Sequence, residues 1–258
     1  MITAAAGGLG GLLRGAADLL LPSVCAGCGT EDAAEKLFCA TCNVEVLSLV
    51  SLPYCPRCGA TVGPNLPVRE DGCWSCPDPL PRFARVVRLG PYTDPLRTAI
   101  RDLKYRRRET VLRELGAMLA QAVRSRCPED RFDLVLPVPM HWRRRIGRGC
   151  DHSRALGRAL SRRLGLPVGD ELVRVRNTPP QVHLPRSRRI ENVRGAFAVH
   201  RKSAITGANI LLADDVTTTG ATANEAARTL LKAGADKVTL TVVAKAESPR
   251  AYSSHWQL

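Results

Sequence analysis

The stretch ILLADDVTTTGAT, residues 210 to 222, ends a run of four apolar residues in two carboxylates, Asp214 and Asp215. Val216, Thr217, Thr218, Thr219, Gly220, Ala221 and Thr222 follow. Threonines and a glycine at the start of a helix suit a phosphate: the free backbone N–H groups and the helix dipole favour an anion, and glycine lets the backbone come close. Two acids beside a phosphate alone would only repel it. Carboxylates do, however, accept hydrogen bonds from the hydroxyls of a sugar diol. A single ligand with both parts answers the pattern: ribose 5-phosphate, or an activated form of it.

A second chemistry lies near the other end of the chain. Eight of the ten cysteines form four C-x-x-C pairs, Cys25/Cys28, Cys39/Cys42, Cys55/Cys58 and Cys73/Cys76, separated by 10, 12 and 14 residues. Each pair sets two sulfurs on one side of a tight knuckle, and two knuckles complete a tetrahedron around zinc. A disulfide scaffold would need an oxidising compartment, and no export signal is visible. The expectation is two structural zinc ions, with all eight thiolates used and no position open for catalysis. The metal then holds together a module too small to fold on a core of its own. Neighbouring pairs are expected to share an ion, 25/28 with 39/42 and 55/58 with 73/76; an interleaved arrangement stays open. Cys127 and Cys150 stand alone.

The chain has 258 residues, enough for one or two domains and a real core. Its formal net charge is +14. Two zinc–tetrathiolate centres of charge −2 each would lower that from +14 to +10, still strongly basic and attractive to polyanions such as nucleic acid or phosphorylated metabolites. The N-terminal segment is apolar but carries Arg14 and Asp18 too early for a membrane span of about 20 residues. No basic region precedes it, so it makes a poor signal peptide. Leu9, Leu12, Leu13, Ala16, Ala17 and Leu20 share one helical face, which reads as an amphipathic helix over 1–22 closed by Pro22 and packed on the protein itself. The expected location is the cytoplasm, with a peripheral position at the inner face of the membrane as the minority reading.

These residues need elements to hold them. The zinc module spans 23–80, and the proline-rich PDPLPRF that follows Cys76 reads as a linker. From residue 84 to 258 strands alternate with helices. LRTAIRDLKYRRRETVLRELGAMLAQAV is helical, as one helix or two; FDLVLPVP is a strand ending in a turn; HSRALGRALSRRLG is a helix stopped by Gly165. NILLADD is a buried strand, NEAARTLLKAG a helix ended by Gly234, and KVTLTVVAKA a further strand. This alternation implies an α/β fold, a parallel sheet flanked by helices, in which ligands bind outside the carboxyl ends of the strands. Thr222-x-x-Glu225 fits a capping box, so the helix after the loop is expected to start near Thr222.

The run from Ile210 to Thr222 resembles the phosphoribosyl pyrophosphate (PRPP) signature of type I phosphoribosyltransferases at every position. YTDPLRTAIRDLKY, DLVLPVPMHWRRRIGRG, PPQVHLPRSRRIENVRGAF and LLADDVTTTGAT also occur in this order behind paired zinc knuckles. Together they resemble the ComF competence-protein family, a double zinc ribbon followed by a type I phosphoribosyltransferase-like domain. The resemblance implies that Asp214 and Asp215 hold the ribose hydroxyls and that Thr217, Thr218, Thr219, Gly220, Ala221 and Thr222 hold the 5′-phosphate. It implies that Pro137, Val138 and Pro139 form the pyrophosphate loop, and that magnesium accompanies PRPP. Arg143, Arg144, Arg145 and Arg148 follow that turn and, with Lys104, are candidates for stabilising leaving-group charge. A mobile segment between His141 and about Asn192 would close the site.

One departure stands out. Where the family shows Arg-Gly-aromatic-Asn-Gln, this chain has Arg148, Gly149, Cys150, Asp151 and His152. Asp151 is expected to serve as the N-cap of the next helix, leaving the site little changed. Pro180, Gln181, Arg189, Asn192 and Arg194 keep the family's second polar motif. The resemblance implies a transferase that releases pyrophosphate from PRPP and a link to the uptake or use of single-stranded DNA. The competing reading is a non-catalytic single-stranded-DNA-binding protein that keeps the pocket as a sensor or relic. Trp74, Trp142 and Tyr105 are the few stacking candidates, and burial is the expected state of each. A protein partner from the competence machinery is a third reading that the sequence does not test.

Overall fold

The computed structural model of the protein describes residues 24–30, 36–63, 72–106, 109–141, 151–179 and 185–247. The helix expected over 1–22 lies outside them. The elements in chain order are α1 (Ala40–Ser51), β1 (Arg85–Pro91), α2 (Leu96–Arg106), α3 (Glu109–Arg126), β2 (Leu134–Pro137), α4 (His152–Leu164), β3 (Leu172–Arg174), α5 (Arg186–Val193), β4 (Phe197–Val199), β5 (Asn209–Thr217), α6 (Ala221–Lys232) and β6 (Lys237–Lys245). The long helical stretch is therefore two helices.

Four strands form a parallel sheet in the order β1-β6-β5-β2. Its central strands are apolar on both sides because both faces are covered, as a parallel sheet requires. Leu211, Ala213 and Val243 on one face pack with Leu96, Ile100, Leu115, Leu119, Leu156 and Leu160 of α2, α3 and α4. Ile210, Leu212, Leu240 and Val242 on the other face pack with Ala226, Ala227 and Leu230 of α6. β3 and β4 make a separate antiparallel pair, which the sequence reading passed over because three-residue strands give too short a run for periodicity to register.

Both sheet edges are closed. Along β1 the Val86 N–H donates to the Pro56 carbonyl at 2.6 Å and the Arg88 N–H to the Tyr54 hydroxyl at 3.4 Å, so the zinc module occupies that edge. Ala26, Phe38 and Val46 join the core on the α2 face, while Arg57 reaches the carbonyls of Pro81, Phe83 and Ala84. The stretch read as a linker is thus bound to the knuckle before it. Along β2 the Val135 N–H donates to the Pro167 carbonyl at 2.9 Å, and Gly169 N–H to the Val135 carbonyl at 3.0 Å. Unpaired edges invite association, and these contacts remove them. Among the described residues no helix is long and apolar enough to cross a membrane.

Candidate functional site

The cysteines assemble into two clusters, Cys25, Cys28, Cys39 and Cys42, and Cys55, Cys58, Cys73 and Cys76, with the sulfurs of each within 4.8 Å of one another. Neighbouring pairs share a site, and the interleaved arrangement is excluded. Cys39 caps α1 and Cys42 lies in its first turn, so the helix itself makes one knuckle. A zinc tetrahedron with Zn–S of about 2.3 Å has S···S edges of about 3.8 Å. The separations Cys28–Cys39 3.7 Å, Cys55–Cys76 3.6 Å and Cys58–Cys73 3.7 Å match. Backbone N–H groups point at the sulfurs, Cys39 N to Cys25 Sγ at 3.2 Å and Cys73 N to Cys76 Sγ at 3.3 Å.

Within each cluster the thiols perturb one another. Thr30 hydrogen bonds draw Cys28 down to about 6, and the hydrogen bond from Cys58 draws Cys55 down to about 5. In return Cys58 is pushed up by its bond to Cys55, and burial takes Cys73 up to about 11. Packed thiolates repel, so without a metal one sulfur ionises at its neighbours' expense. A divalent ion ionises all four. The residues present fit two structural zinc sites.

The second site sits at the carboxyl end of β5. The strand runs further than read, to Thr217, because Asp214 and Val216 stay in register with Val242 and Ala244 of β6. The acidic pair thus lies within the last residues of a rigid strand. Asp214 Oδ1 accepts from the Ser153 hydroxyl at 2.9 Å and from the Asp215 N–H at 2.9 Å; Asp215 Oδ1 accepts from the Val216 N–H at 2.7 Å. Ser153 comes from the first turn of α4, which Asp151 caps by accepting from the Arg154 N–H at 3.1 Å. Asp151 of the replaced segment therefore acts as the helix cap. Pro137 ends β2 opposite Ala213, and the Val138 N–H donates to the Ala213 carbonyl at 2.8 Å, which puts the turn beside the acids. Gly157 of α4 permits this approach, since a Cβ there would meet Pro137 Cγ at 2.8 Å.

Thr218, Thr219 and Gly220 form the loop, and Gly220, at φ 78°, caps α6. The capping box expected at Thr222 does not form. The helix begins at Ala221, so Thr222 is inside it, and Glu225 turns away to accept from the Gly195 N–H at 2.6 Å and from Arg228 Nε at 2.7 Å. Two cations converge on Thr218: Arg189 Nη1 of α5 donates to its hydroxyl at 3.1 Å, and Lys245 Nζ at the end of β6 donates to its carbonyl. Asp214, Thr217, Thr218, Gly220, Ala221, Thr222 and Arg189 line a cavity of about 290 Å³. The sequence reading missed Ser153 and Lys245. The parallel pairing of Thr217 with Lys245 is the signal that finds the second. Lys104 lies in α2, but its side chain, like Arg143, Arg144, Arg145, Arg148, Pro180 and Gln181, is outside what is described. So are Trp142 and the Tyr105 side chain. Trp74, expected to be buried, is 70% exposed because it projects from the last zinc knuckle.

Residues 16–81 match the model of the double zinc ribbon domain and residues 151–257 that of the phosphoribosyl transferase domain. The chain is 34% identical over 205 residues to the DNA utilization protein YhgH of Salmonella typhi, covering 78% of this chain and 86% of the relative. It is 30% identical over 218 residues to Competence protein F of Haemophilus influenzae, covering 83% and 92%. The chain belongs to the ComF family. Competence protein ComFC of Bacillus subtilis is a more distant ComF relative, 26% identical over 201 residues, covering 78% of this chain and 80% of the relative. Among solved structures, the glutamine PRPP amidotransferase from B. subtilis covers 51% of this ComF chain and 25% of its own at 21% identity and a TM-score of 0.35. That likeness says nothing of activity. The double ribbon and the helix-flanked parallel sheet of a phosphoribosyltransferase are the two parts of this ComF protein.

Proposed function

We propose that this chain binds PRPP, accompanied by magnesium, at the carboxyl end of β5, and that it works in the uptake or use of single-stranded DNA. The observation that carries the first part is that Asp214, braced by Ser153, shares one cavity with the loop at the N-terminus of α6. The acids take the ribose hydroxyls, and the loop with Arg189 takes the 5′-phosphate. The turn Pro137–Pro139 faces the pyrophosphate. Magnesium bound with PRPP would supply positive charge to the leaving group, held by substrate and water more than by protein; the Asp214 and Asp215 carboxylates beside the turn offer the oxygen ligands it takes. The names of the relatives and the charge of +14 support the link to DNA.

The reaction is phosphoribosyl transfer. The bond from the anomeric carbon to pyrophosphate breaks, its electron pair leaving with pyrophosphate, and a bond to the acceptor's nucleophilic atom forms as that atom's proton is released. Positioning carries such a displacement, which fits a site with no activated nucleophile among its described residues. The reducing cytoplasm, where thiolates keep zinc, is the location that suits the eight cysteines.

Phosphorus NMR of zinc-loaded protein with PRPP and magnesium tests this. Pyrophosphate released by wild type, with water in the acceptor's place, and not by Asp215→Asn is the expected result. Broadened PRPP signals without release would mean that the pocket binds PRPP but lacks an acceptor or the power to react. Unchanged signals would refute the PRPP site.

A further inference from the structure

A groove of about 830 Å³ runs from the phosphate loop to the second zinc cluster. Its walls include Trp74, Phe83, Arg189, Lys245 and the loop residues Thr218 and Gly220. Thr218, Gly220 and Arg189 belong equally to the smaller cavity that holds Asp214. The loop is therefore a partition with a pocket on each side. We propose that this groove is the track for a segment of single-stranded DNA, a base stacking on Trp74 and the backbone running past Lys245 and Arg189. This rests on the DNA part of the reading above, and Arg189, assigned there to the 5′-phosphate, is shared between the two pockets.

Three features commit the groove to that occupant. Trp74 is a large aromatic left 70% exposed, yet it is not loosely held: Cys73 and Cys76, both in the zinc cluster, fix the chain around it. Folding leaves such a ring in water only rarely, and a rigid exposed face is what a base stacks on. The same lining carries the charge a phosphodiester needs, an ammonium and a guanidinium that already meet at Thr218. The acid in the groove, Glu247, does not oppose them, because its carboxylate is turned to Arg88 and Thr61. Bases with π-faces and a repeating anion match aromatic and cations side by side. A strand laid here passes along the wall of the sugar-phosphate site.

The test uses the full zinc-loaded chain and a labelled oligothymidylate of about 15 nucleotides, with binding followed by fluorescence anisotropy. Trp74→Ala is expected to weaken binding roughly tenfold, and Trp74→Phe to keep it within about threefold, both with zinc content unchanged. Lys245→Ala is expected to lower the slope of log affinity against log salt by about one. Trp74→Ala binding as tightly as wild type, an unchanged salt slope for Lys245→Ala, or no binding by wild type at low salt would each overturn the groove. PRPP binding by NMR is read separately, so the two readings fail independently.

Discussion

Arg88 and Glu247 meet at 3.1 Å in a place where the arginine side chain is wholly buried and the glutamate is only 7% exposed. The pair is not isolated. The same Glu247 oxygen accepts from the Thr61 N–H at 2.5 Å and its hydroxyl at 2.7 Å, and Arg88 Nη2 donates to that hydroxyl at 2.7 Å. The guanidinium also lies 4.8 Å over the Tyr54 ring. Thr61 belongs to the zinc module, Arg88 to the edge strand, and Glu247 follows β6 two residues beyond Lys245. One network ties the second ribbon to the strand end beside the loop that precedes α6, where the Ala246 N–H donates to the Thr217 carbonyl at 2.8 Å.

Removing one partner of such a pair strands the other charge. Glu247→Ala should cost about 3–5 kcal/mol, read as a lower urea midpoint. Glu247→Gln also takes away the negative charge that Arg88 meets but should cost less, since its amide oxygen still accepts from Thr61 and Arg88. Equal losses for the two variants would mean that charge at this position, not the hydrogen bonds, holds the ribbon.

The two zinc sites are built from separate residues, which makes them separately removable. Cys76→Ser should lower zinc from two ions per chain to one, measured by elemental analysis of purified protein. Because that cluster is tied to β1 through Pro56 and to the residues just before β1 through Arg57, the variant should also unfold at lower temperature. A variant that keeps both ions would show that three thiolates and a hydroxyl suffice there.

Much of this was legible in advance because the residues involved leave little choice. A C-x-x-C knuckle closes on its own turn, so the clusters read directly. A run such as Ile210–Ala213 is apolar on successive residues only if both strand faces are covered, so the parallel sheet read as well. What failed was local inference where tertiary contacts outbid it. Glu225 satisfies the spacing of a capping box, yet the Gly195 N–H and a neighbouring Arg228 take its carboxylate away from the turn below it. Ser153 and Glu247 were silent because their partners lie 61 and 186 residues away. Trp74 was misjudged because composition expects a tryptophan inside, whereas a metal knuckle can hold one outside.

Gly220 occupies a left-handed conformation, φ +78°, at the first residue before α6. A side chain there has room, Phe83 Cζ being 3.7 Å from a Cβ, so the penalty is conformational. Gly220→Ala should cost about 1–2 kcal/mol of stability. The backbone would relax away from positive φ and spoil the loop, so PRPP affinity should drop together with stability. Full stability with lost PRPP binding would instead point to a blocked pocket.

Glu225 supplies the pH test. Burial pushes its carboxyl up, but the hydrogen bonds from Arg228 and the Gly195 N–H outweigh that and hold it below its ordinary 4.5. The unfolded chain then takes up the proton first as pH falls. The stabilisation is present above about 4.5 and is lost as pH drops through the lower folded value. Asp130, held down chiefly by its bond to Lys237, adds to the acid sensitivity of wild type and variant alike. The difference between wild type and Glu225→Gln therefore isolates Glu225. Wild type should be the more stable at pH 7 by about 1–3 kcal/mol, and the gap should close below pH 4.5, followed by urea unfolding across the range. A gap that stays constant into acid would mean that the Glu225→Gln variant loses stability through packing, and that the charge on Glu225 does not hold Gly195 against α6.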